Sequence, residues 1–175
     1  LLLNKMRFDC PVQFIDHHYC HATAAYQTSG YADATVVTLD GGGDGLSSRI
    51  YKVEKGKYIP LTRTSAYNSI GNFYAYVTHL CGYKAHKHEG KITGLAAHGK
   101  PVYRDLLDSF ITFKEGAIIN QSRSFYYSSL EKLRKQLPSD FKKEDLAASM
   151  QKHLEDVVSK YVKFWVDRSG ISNVA

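Results

Sequence analysis

Apolar and polar positions in the first part of the chain predict strands that flank a helix. Residues 12–15 form a short apolar run that predicts a buried strand. Residues 34–39 are continuous and β-branched, which is typical of a central strand buried on both faces. Between these runs, Asp16 is the predicted N-cap of a helix from about His18 to Thr28. This order of elements indicates an α/β fold.

The rest of the chain continues in the same mixed pattern. The glycine-rich segment 40–45 predicts a turn, and residues 46–53 and 57–64 alternate loosely on either side of 54–56, which predicts a hairpin. The remaining predicted elements are helices at about 70–81, 91–97, 101–108, 124–136 and 142–168, a hairpin of 110–113 with 116–119, and a β-like run at 171–175.

Composition excludes some classes of partner. Apolar residues make up 43% of the 175 residues, but no apolar run approaches the roughly 20 residues that a membrane helix needs. We therefore expect no membrane partner. The net charge of +6 permits a polyanionic partner. Because acidic residues are interleaved with the scattered lysines, the pattern favours a solvated surface over a nucleic-acid site.

Cysteine usage and the chain ends complete this outline. Cys10, Cys20 and Cys81 are odd in number and share no CxxC spacing, which favours a reduced cytoplasmic chain. The start lacks an initiator Met and a signal-peptide core, and the run at 171–175 ends with the chain. We expect residues 1–175 to form a single partial domain, an internal fragment of a larger protein. The sheet edge exposed by truncation leaves homodimerisation open.

A histidine cluster opens the first predicted helix. His17 and His21 are four residues apart, so they share a helix face and could reach one metal ion. Zinc and iron accept such a pair. Asp40, at the end of the next strand, is the local candidate for a further ligand. Capping or core packing is the alternative role for these histidines. His18 would point elsewhere and could contact a substrate.

Two glycine-rich segments are candidates for phosphate chemistry. DGGGDG at 40–45 lacks the Lys-Ser/Thr of a P-loop, and its carboxylates suit a phosphate only through a bridging cation. An ordinary tight turn explains it equally well. In HEGKITGLAAHGK at 88–100, Lys91 could meet a phosphate as a point charge. Gly94 weakens a helix, which suggests a close approach there, although a glycine-punctuated loop is the alternative.

Three stretches together resemble one family. DHHYCHA at 16–22 resembles an HHxxHA motif, and LDGGGD at 39–44 resembles a DGxGD/E turn. SIGNFYAYVTHLCGY at 69–83 with EGKITGLAAHGK at 89–100 resembles the same family's longer signature. The family is the O-carbamoyltransferases of the nodulation-protein and antibiotic-biosynthesis type. The departures are Thr93, where an apolar residue is usual, and the middle glycine of DGGGD.

The resemblance implies a partial actin-like (ribonuclease H-like) ATPase-superfamily domain, a mixed sheet with flanking helices. It implies that carbamoyl phosphate and ATP form carbamoyl-adenylate in a separate adenylating domain. The carbamoyl group then passes to a hydroxyl of a small-molecule acceptor, with assistance from a divalent metal, iron or zinc.

The resemblance also assigns roles to residues. His17 and His21 are the implied metal ligands, with Asp40 as their partner. His18, which would orient the acceptor or transfer a proton, and Lys91 are the candidate catalytic residues. Six residues are expected to line the nucleotide: Gly41, Gly43, Ser69, Gly71, Lys91 and Gly94.

Two other functions remain open from the sequence. A tRNA threonylcarbamoyl-transfer protein also carries the HxxxH pair, and a basic pI would suit tRNA, but the signature at 69–100 argues against it. The other alternative is a non-catalytic metal- or nucleotide-binding domain. We expect the fragment alone to show no carbamoyl transfer.

Overall fold

The computed structural model describes residues 11–175 and shows a mixed α/β fold with antiparallel sheets and flanking helices. Within this range the strands are β1 (Asp33–Gly43), β2 (Leu46–Glu54), β3 (Lys57–Ser65), β4 (Ile111–Lys114) and β5 (Ala117–Asn120). The helices are α1 (His17–Ser29), α2 (Ile70–Leu80), α3 (Glu89–Ala96), α4 (Arg104–Phe110), α5 (Tyr127–Gln136) and α6 (Lys143–Ser169), with a 3₁₀ turn at Ala66–Asn68.

Strands β1, β2 and β3 form an antiparallel meander joined by two tight turns. Each turn consists of a non-glycine residue and a glycine, both at positive φ: Asp44 with Gly45, and Lys55 with Gly56. Two such residues give the turn the twist that antiparallel strands need. The prediction of a turn over all of 40–45 is wrong in extent, because β1 continues to Gly43.

Strand β1 is irregular just before its turn. Leu39 pairs with Ser48 and Gly43 pairs with Leu46, so the strand carries extra residues between these two pairs. Such a bulge bends a strand and redirects its side chains. Asp40 lies at the start of this irregular segment.

The other edge of β1 is paired with the end of the chain. The Thr35 amide donates to the Asn173 carbonyl (2.8 Å), and the Val37 amide donates to the Ala175 carbonyl (2.9 Å). Thr35 and Val174 form a parallel bridge. The predictions of a central strand and of a β-like run at 171–175 are therefore confirmed in this part of the chain.

The predicted buried strand at 12–15 is wrong. These residues have no strand structure, and Phe14 is 78% and Ile15 59% exposed. An apolar run becomes a strand only where a sheet edge is free to pair with it, and residues 173–175 already pair with β1 on the side away from β2.

Two apolar clusters hold these layers together. The larger one packs α6 against α2, α4, β2 and the β4–β5 hairpin, with Ile50, Val77, Leu107, Ile118 and Met150 fully or almost fully buried. The smaller one attaches α1 to the sheet, and its buried members are Ala22, Tyr26, Ala34, Val36, Tyr51 and Val53. No helix within residues 11–175 is long and apolar enough to cross a membrane.

Helix positions agree with the prediction for the long elements and shift for the short ones. Helix α6 covers Lys143–Ser169, within one residue of the predicted bounds. Helix α5 begins at Tyr127 and not at 124, because Tyr126 has positive φ, which a helix cannot contain. Helices α3 and α4 each lie two or three residues from their predicted starts.

We predict that the Tyr161 hydroxyl stabilises the contact between α6 and the sheet. It is fully buried and lies 3.1 Å from both Ser48 Oγ and Thr64 Oγ1. The variant Tyr161→Phe leaves both hydroxyls without this partner, so the free energy of unfolding should fall by about 2 kcal/mol. Chemical denaturation measures this loss. The control Tyr31→Phe alters an exposed tyrosine and should change little; equal stability of the two variants would contradict the assignment.

Candidate metal centre

The first turn of α1 is anchored to the end of the β1–β2 hairpin. Asp16 caps the helix by accepting from the Tyr19 amide (2.8 Å), as predicted. Asp44, from the hairpin turn, accepts from the His17 amide (2.9 Å). These two carboxylates satisfy exposed amides at the positive end of the helix. The anchoring places the His17 side chain beside the irregular end of β1.

Three side chains converge at this junction. His17 Nε2 lies 2.7 Å from Asp40 Oδ2 and 3.1 Å from His21 Nε2. His21 Nε2 lies 3.8 Å from the same Asp40 oxygen. The helix supplies His17 and His21 from one face, and the strand supplies Asp40. The structure therefore brings together the three residues that the sequence predicts as metal ligands, which we call the His–His–Asp cluster.

The geometry of the His–His–Asp cluster fits a metal ion. First-row cations hold imidazole nitrogen and carboxylate oxygen at about 2.0–2.2 Å. Neighbouring ligand atoms around such an ion lie about 3.0–3.4 Å apart, and the three separations here, 2.7, 3.1 and 3.8 Å, bracket that range. All three side chains are partly exposed, so an ion could enter from solvent. Zinc and iron both accept this donor set.

The Asp40 carboxylate is held in position from both sides. Its Oδ1 accepts from the Gly41 amide (2.6 Å), while its Oδ2 accepts from His17. The hydrogen bond with His17 is the main factor that lowers the pKa of the Asp40 carboxyl below its ordinary value, and the Gly41 amide acts in the same direction. The carboxylate is therefore ionised and oriented at neutral pH.

Two of the predicted nucleotide glycines are explained by close packing. A Cβ at Gly43 would overlap the His17 imidazole ring. A Cβ at Gly71 would lie 3.3 Å from the backbone of Gly41, where the start of α2 meets the bulge of β1. Glycine at these positions allows the helix α2 and the histidine ring to approach the strand end.

Ser69 connects α2 to the same strand end. Its Oγ caps the helix by accepting from the Asn72 amide (3.0 Å), and lies 3.2 Å from the Asp40 carbonyl, to which it donates. Ser69, Gly71, Gly41 and Gly43 are thus gathered around Asp40. The structure brings together four of the six residues predicted to line a nucleotide.

Lys91 and Gly94 lie apart from this group. They are exposed residues of α3, and neither lines a cavity that Asp40 lines. The Lys91 ammonium lies over the Tyr83 ring, 5.7 Å from its centre. A Cβ at Gly94 would meet nothing within 4 Å among residues 11–175, so these residues supply no close approach there.

His18 is held against the sheet. It is fully buried, and its Nδ1 lies 2.8 Å from Thr38 Oγ1. That hydroxyl donates to the Arg49 carbonyl (3.1 Å) and accepts from the Arg49 amide (2.9 Å), so its remaining lone pair accepts from His18 Nδ1–H. This contact fixes α1 on the sheet. A role of His18 in orienting an acceptor or transferring a proton stays a prediction.

Two cavities meet at Asp40. The sheet cavity, about 640 Å³, is lined by Leu39, Asp40, Gly41 and Gly71 and by one face of α6. The hairpin cavity, about 400 Å³, is lined by Asp40, the glycines of the hairpin end, Asn72, His86, Phe125 and Tyr126. Asp40 and Gly41 line both cavities, whereas His17 and His21 line neither, so the cluster meets the two cavities through Asp40.

Sequence analysis missed some residues of this site. Asp44 was assigned only to a turn, but it caps α1 and so fixes His17. His86, Phe125 and Tyr126 come from loops far from residue 40 in sequence and carry no spacing signal. His86 and Tyr126 both have positive φ, which cannot be predicted from their residue types.

The fold and the site together define a mixed α/β protein with a candidate His–His–carboxylate metal centre whose carboxylate lines two cavities. The sequence profile described as carbamoyltransferase N-terminus matches residues 1–175. The chain therefore belongs to the carbamoyltransferase family, and the match covers the whole chain.

Several curated proteins are similar to this chain. Nodulation protein NolNO of Sinorhizobium fredii (strain NBRC 101917 / NGR234) is 29% identical over 94% of this chain and 25% of its own length. Nodulation protein NolO of Bradyrhizobium diazoefficiens is 32% identical over 82% of this chain and 27% of its own length. The uncharacterised protein MJ1058 of Methanocaldococcus jannaschii is 28% identical over 98% and 31%. The chain thus spans between a quarter and a third of these relatives.

We predict that Gly43 controls the position of the His17 ring. The variant Gly43→Ala should displace the imidazole and break its hydrogen bond with Asp40, because a Cβ would occupy the space of the ring. Imidazole ¹⁵N chemical shifts measure this change. The control Gly90→Ala lies in α3, where a Cβ meets nothing within 4 Å, and should leave the His17 shifts unchanged. Unchanged His17 shifts in Gly43→Ala would show that the ring position does not depend on this contact.

Proposed function

We propose that this chain is part of an ATP-dependent O-carbamoyltransferase that transfers a carbamoyl group from carbamoyl-adenylate to a hydroxyl of a small-molecule acceptor. The observation that carries this proposal is the His–His–Asp cluster, whose Asp40 lines two cavities, in a chain of the carbamoyltransferase family. One cavity would hold the donor and the other the acceptor. Group transfer needs both substrates against one reaction centre, and Asp40 faces both spaces.

In the proposed reaction the acceptor oxygen attacks the carbamoyl carbon. A new C–O bond forms, the bond from that carbon to the adenylate phosphate oxygen breaks, and AMP leaves with the bonding electrons. The hydroxyl proton passes to a base. Negative charge develops on the carbonyl oxygen and on the departing phosphate, so the site must stabilise an anion in the transition state.

His17, His21 and Asp40 would hold a divalent iron or zinc ion. Such an ion polarises a carbonyl or neutralises a phosphate, which is the stabilisation this transfer needs. The chain's own contribution is rigidity. Asp44 and Asp16 fix the first turn of α1, His18 holds the helix to Thr38, and the Gly41 amide orients Asp40.

The sheet cavity is the proposed donor site. Gly41 and Gly71, two of the residues predicted to line the nucleotide, form part of its wall. Its lining is mainly apolar, which suits the base of a nucleotide, and Asp40 at its edge would place a metal near the phosphate. Carbamoyl phosphate and ATP would enter through an adenylating domain outside this chain.

Family membership supports this proposal over a tRNA threonylcarbamoyl-transfer protein, because the matching profile covers the whole chain. The same family membership supports it over a non-catalytic metal- or nucleotide-binding domain, because the separation of His17, His21 and Asp40 fits a metal ion in either case.

We predict that the full-length protein binds one metal ion through the His–His–Asp cluster. The measurement is metal content after equilibration with iron or zinc, for the native protein and for the double variant His17→Ala, His21→Ala. Removing two ligands should lower metal affinity by more than ~10-fold. Carbamoyl transfer should be lost with the metal. The control His98→Ala removes an exposed imidazole from another part of the surface and should keep both.

Two results would count against the proposal. Equal metal in the native protein and the double variant would place any metal elsewhere. Stoichiometric metal together with no ATP-dependent carbamoyl product, over a panel of alcohols, would leave the metal centre but reject the transfer reaction.

A further inference from the structure

A third cavity adjoins the hairpin cavity. This tyrosine cavity, about 390 Å³, is lined by Tyr76, His79, His86, Tyr126, Tyr127 and Leu130, with two alanines. Its lining is largely apolar. His86 and Tyr126 line both the tyrosine cavity and the hairpin cavity, so the two spaces share a wall.

The shared wall carries the most unusual backbone of the site. Tyr126 has φ 50° and ψ −124°, and His86 has φ 61°. Residues with a Cβ rarely adopt such angles, and the conformation of Tyr126 is one that glycine adopts easily. Strained residues persist where surrounding contacts hold them, and they cluster at ligand sites.

Core packing does not explain the strain at Tyr126. Its side chain is 53% exposed, so the ring gains little from burial. The backbone is held instead by its amide, which donates to the Tyr76 hydroxyl (2.9 Å), and by the Phe125 ring, whose centre is 4.3 Å from the Tyr126 ring. These contacts present a partly exposed aromatic ring at the junction of the two cavities.

We propose that the tyrosine cavity is the acceptor subsite, and that it takes a neutral alcohol with an apolar ring body. The ring body would pack on Tyr126 and Tyr76, and its hydroxyl would extend through the hairpin cavity towards Asp40. Aromatic walls suit an apolar ring, and the imidazoles of His79 and His86 offer hydrogen bonds to polar substituents. This assignment rests on the proposed function, because the acceptor must lie on the side of Asp40 away from the donor.

The test is whether the full-length protein binds 2-phenylethanol. Saturation-transfer NMR at millimolar concentrations of the alcohol measures this binding. The variant Tyr126→Gly removes the ring and also relieves the backbone, so it should be no less stable than the native protein. It should weaken binding by about tenfold or more. Tyr126→Phe keeps the ring and should bind almost as the native protein does.

Two controls separate the subsite from other effects. Tyr31→Ala removes a similarly exposed tyrosine that lines none of the described cavities, and it should not change binding. The variant Asp40→Asn should still bind the alcohol, because Asp40 does not line the tyrosine cavity. It should lose carbamoyl transfer, because Asp40 is a proposed metal ligand.

Equal binding by Tyr126→Gly and the native protein, or no binding by the native protein, would overturn the acceptor subsite. If binding depends on Tyr126 but no alcohol becomes carbamoylated, the transfer reaction fails and the ring-alcohol site stands. The failure of the subsite and the failure of the proposed function are thus distinguishable.

Discussion

The contact between the first turn of α1 and the end of β1 is the interaction on which the rest of the site depends. A helix start exposes unpaired amides, and here the hairpin turn supplies Asp44 as a partner for the His17 amide. Gly43 leaves room for the His17 ring. Below the contact, Ala22 and Tyr26 pack on the sheet and fix the direction of the helix. The His–His–Asp cluster follows from these constraints, because one helix face then meets one strand end.

The same strand end also organises the opposite side of the site. Gly41 and Gly71 allow α2 to start directly against the bulge of β1, and Ser69 ties that start to the Asp40 carbonyl. Asp40 therefore contacts the starts of both α1 and α2, and it lines both the sheet cavity and the hairpin cavity. The contacts around Asp40 fix the orientation of its carboxylate before any ion binds. Hydrogen bonds to metal ligands orient them in this way in metal centres generally.

The predictable part of the molecule is the part governed by local spacing. His17 and His21 are neighbours on any helix, and Asp40 ends a run that could hardly be other than a strand, so their meeting followed from the sequence. The run at 12–15 failed because an apolar pattern does not reveal whether a strand partner is free, and residues 173–175 pair with β1 on the side away from β2. His86 and Tyr126 were not predicted as site residues, because loops with positive φ bring them together although they lie about 40 residues apart in the chain. His18 lies between two predicted ligands, yet its burial against Thr38 became visible only in three dimensions.

The central claim is that one metal ion lies between α1 and β1. Anomalous X-ray diffraction from crystals of the full-length protein, recorded on either side of the iron and zinc absorption edges, tests this most directly. We expect one anomalous peak within about 2.0–2.3 Å of His17 Nε2, His21 Nε2 and an Asp40 oxygen. A peak at another set of side chains, or no peak in protein equilibrated with both metals, would contradict the account and reduce the His–His–Asp cluster to a hydrogen-bonded anchor for the helix.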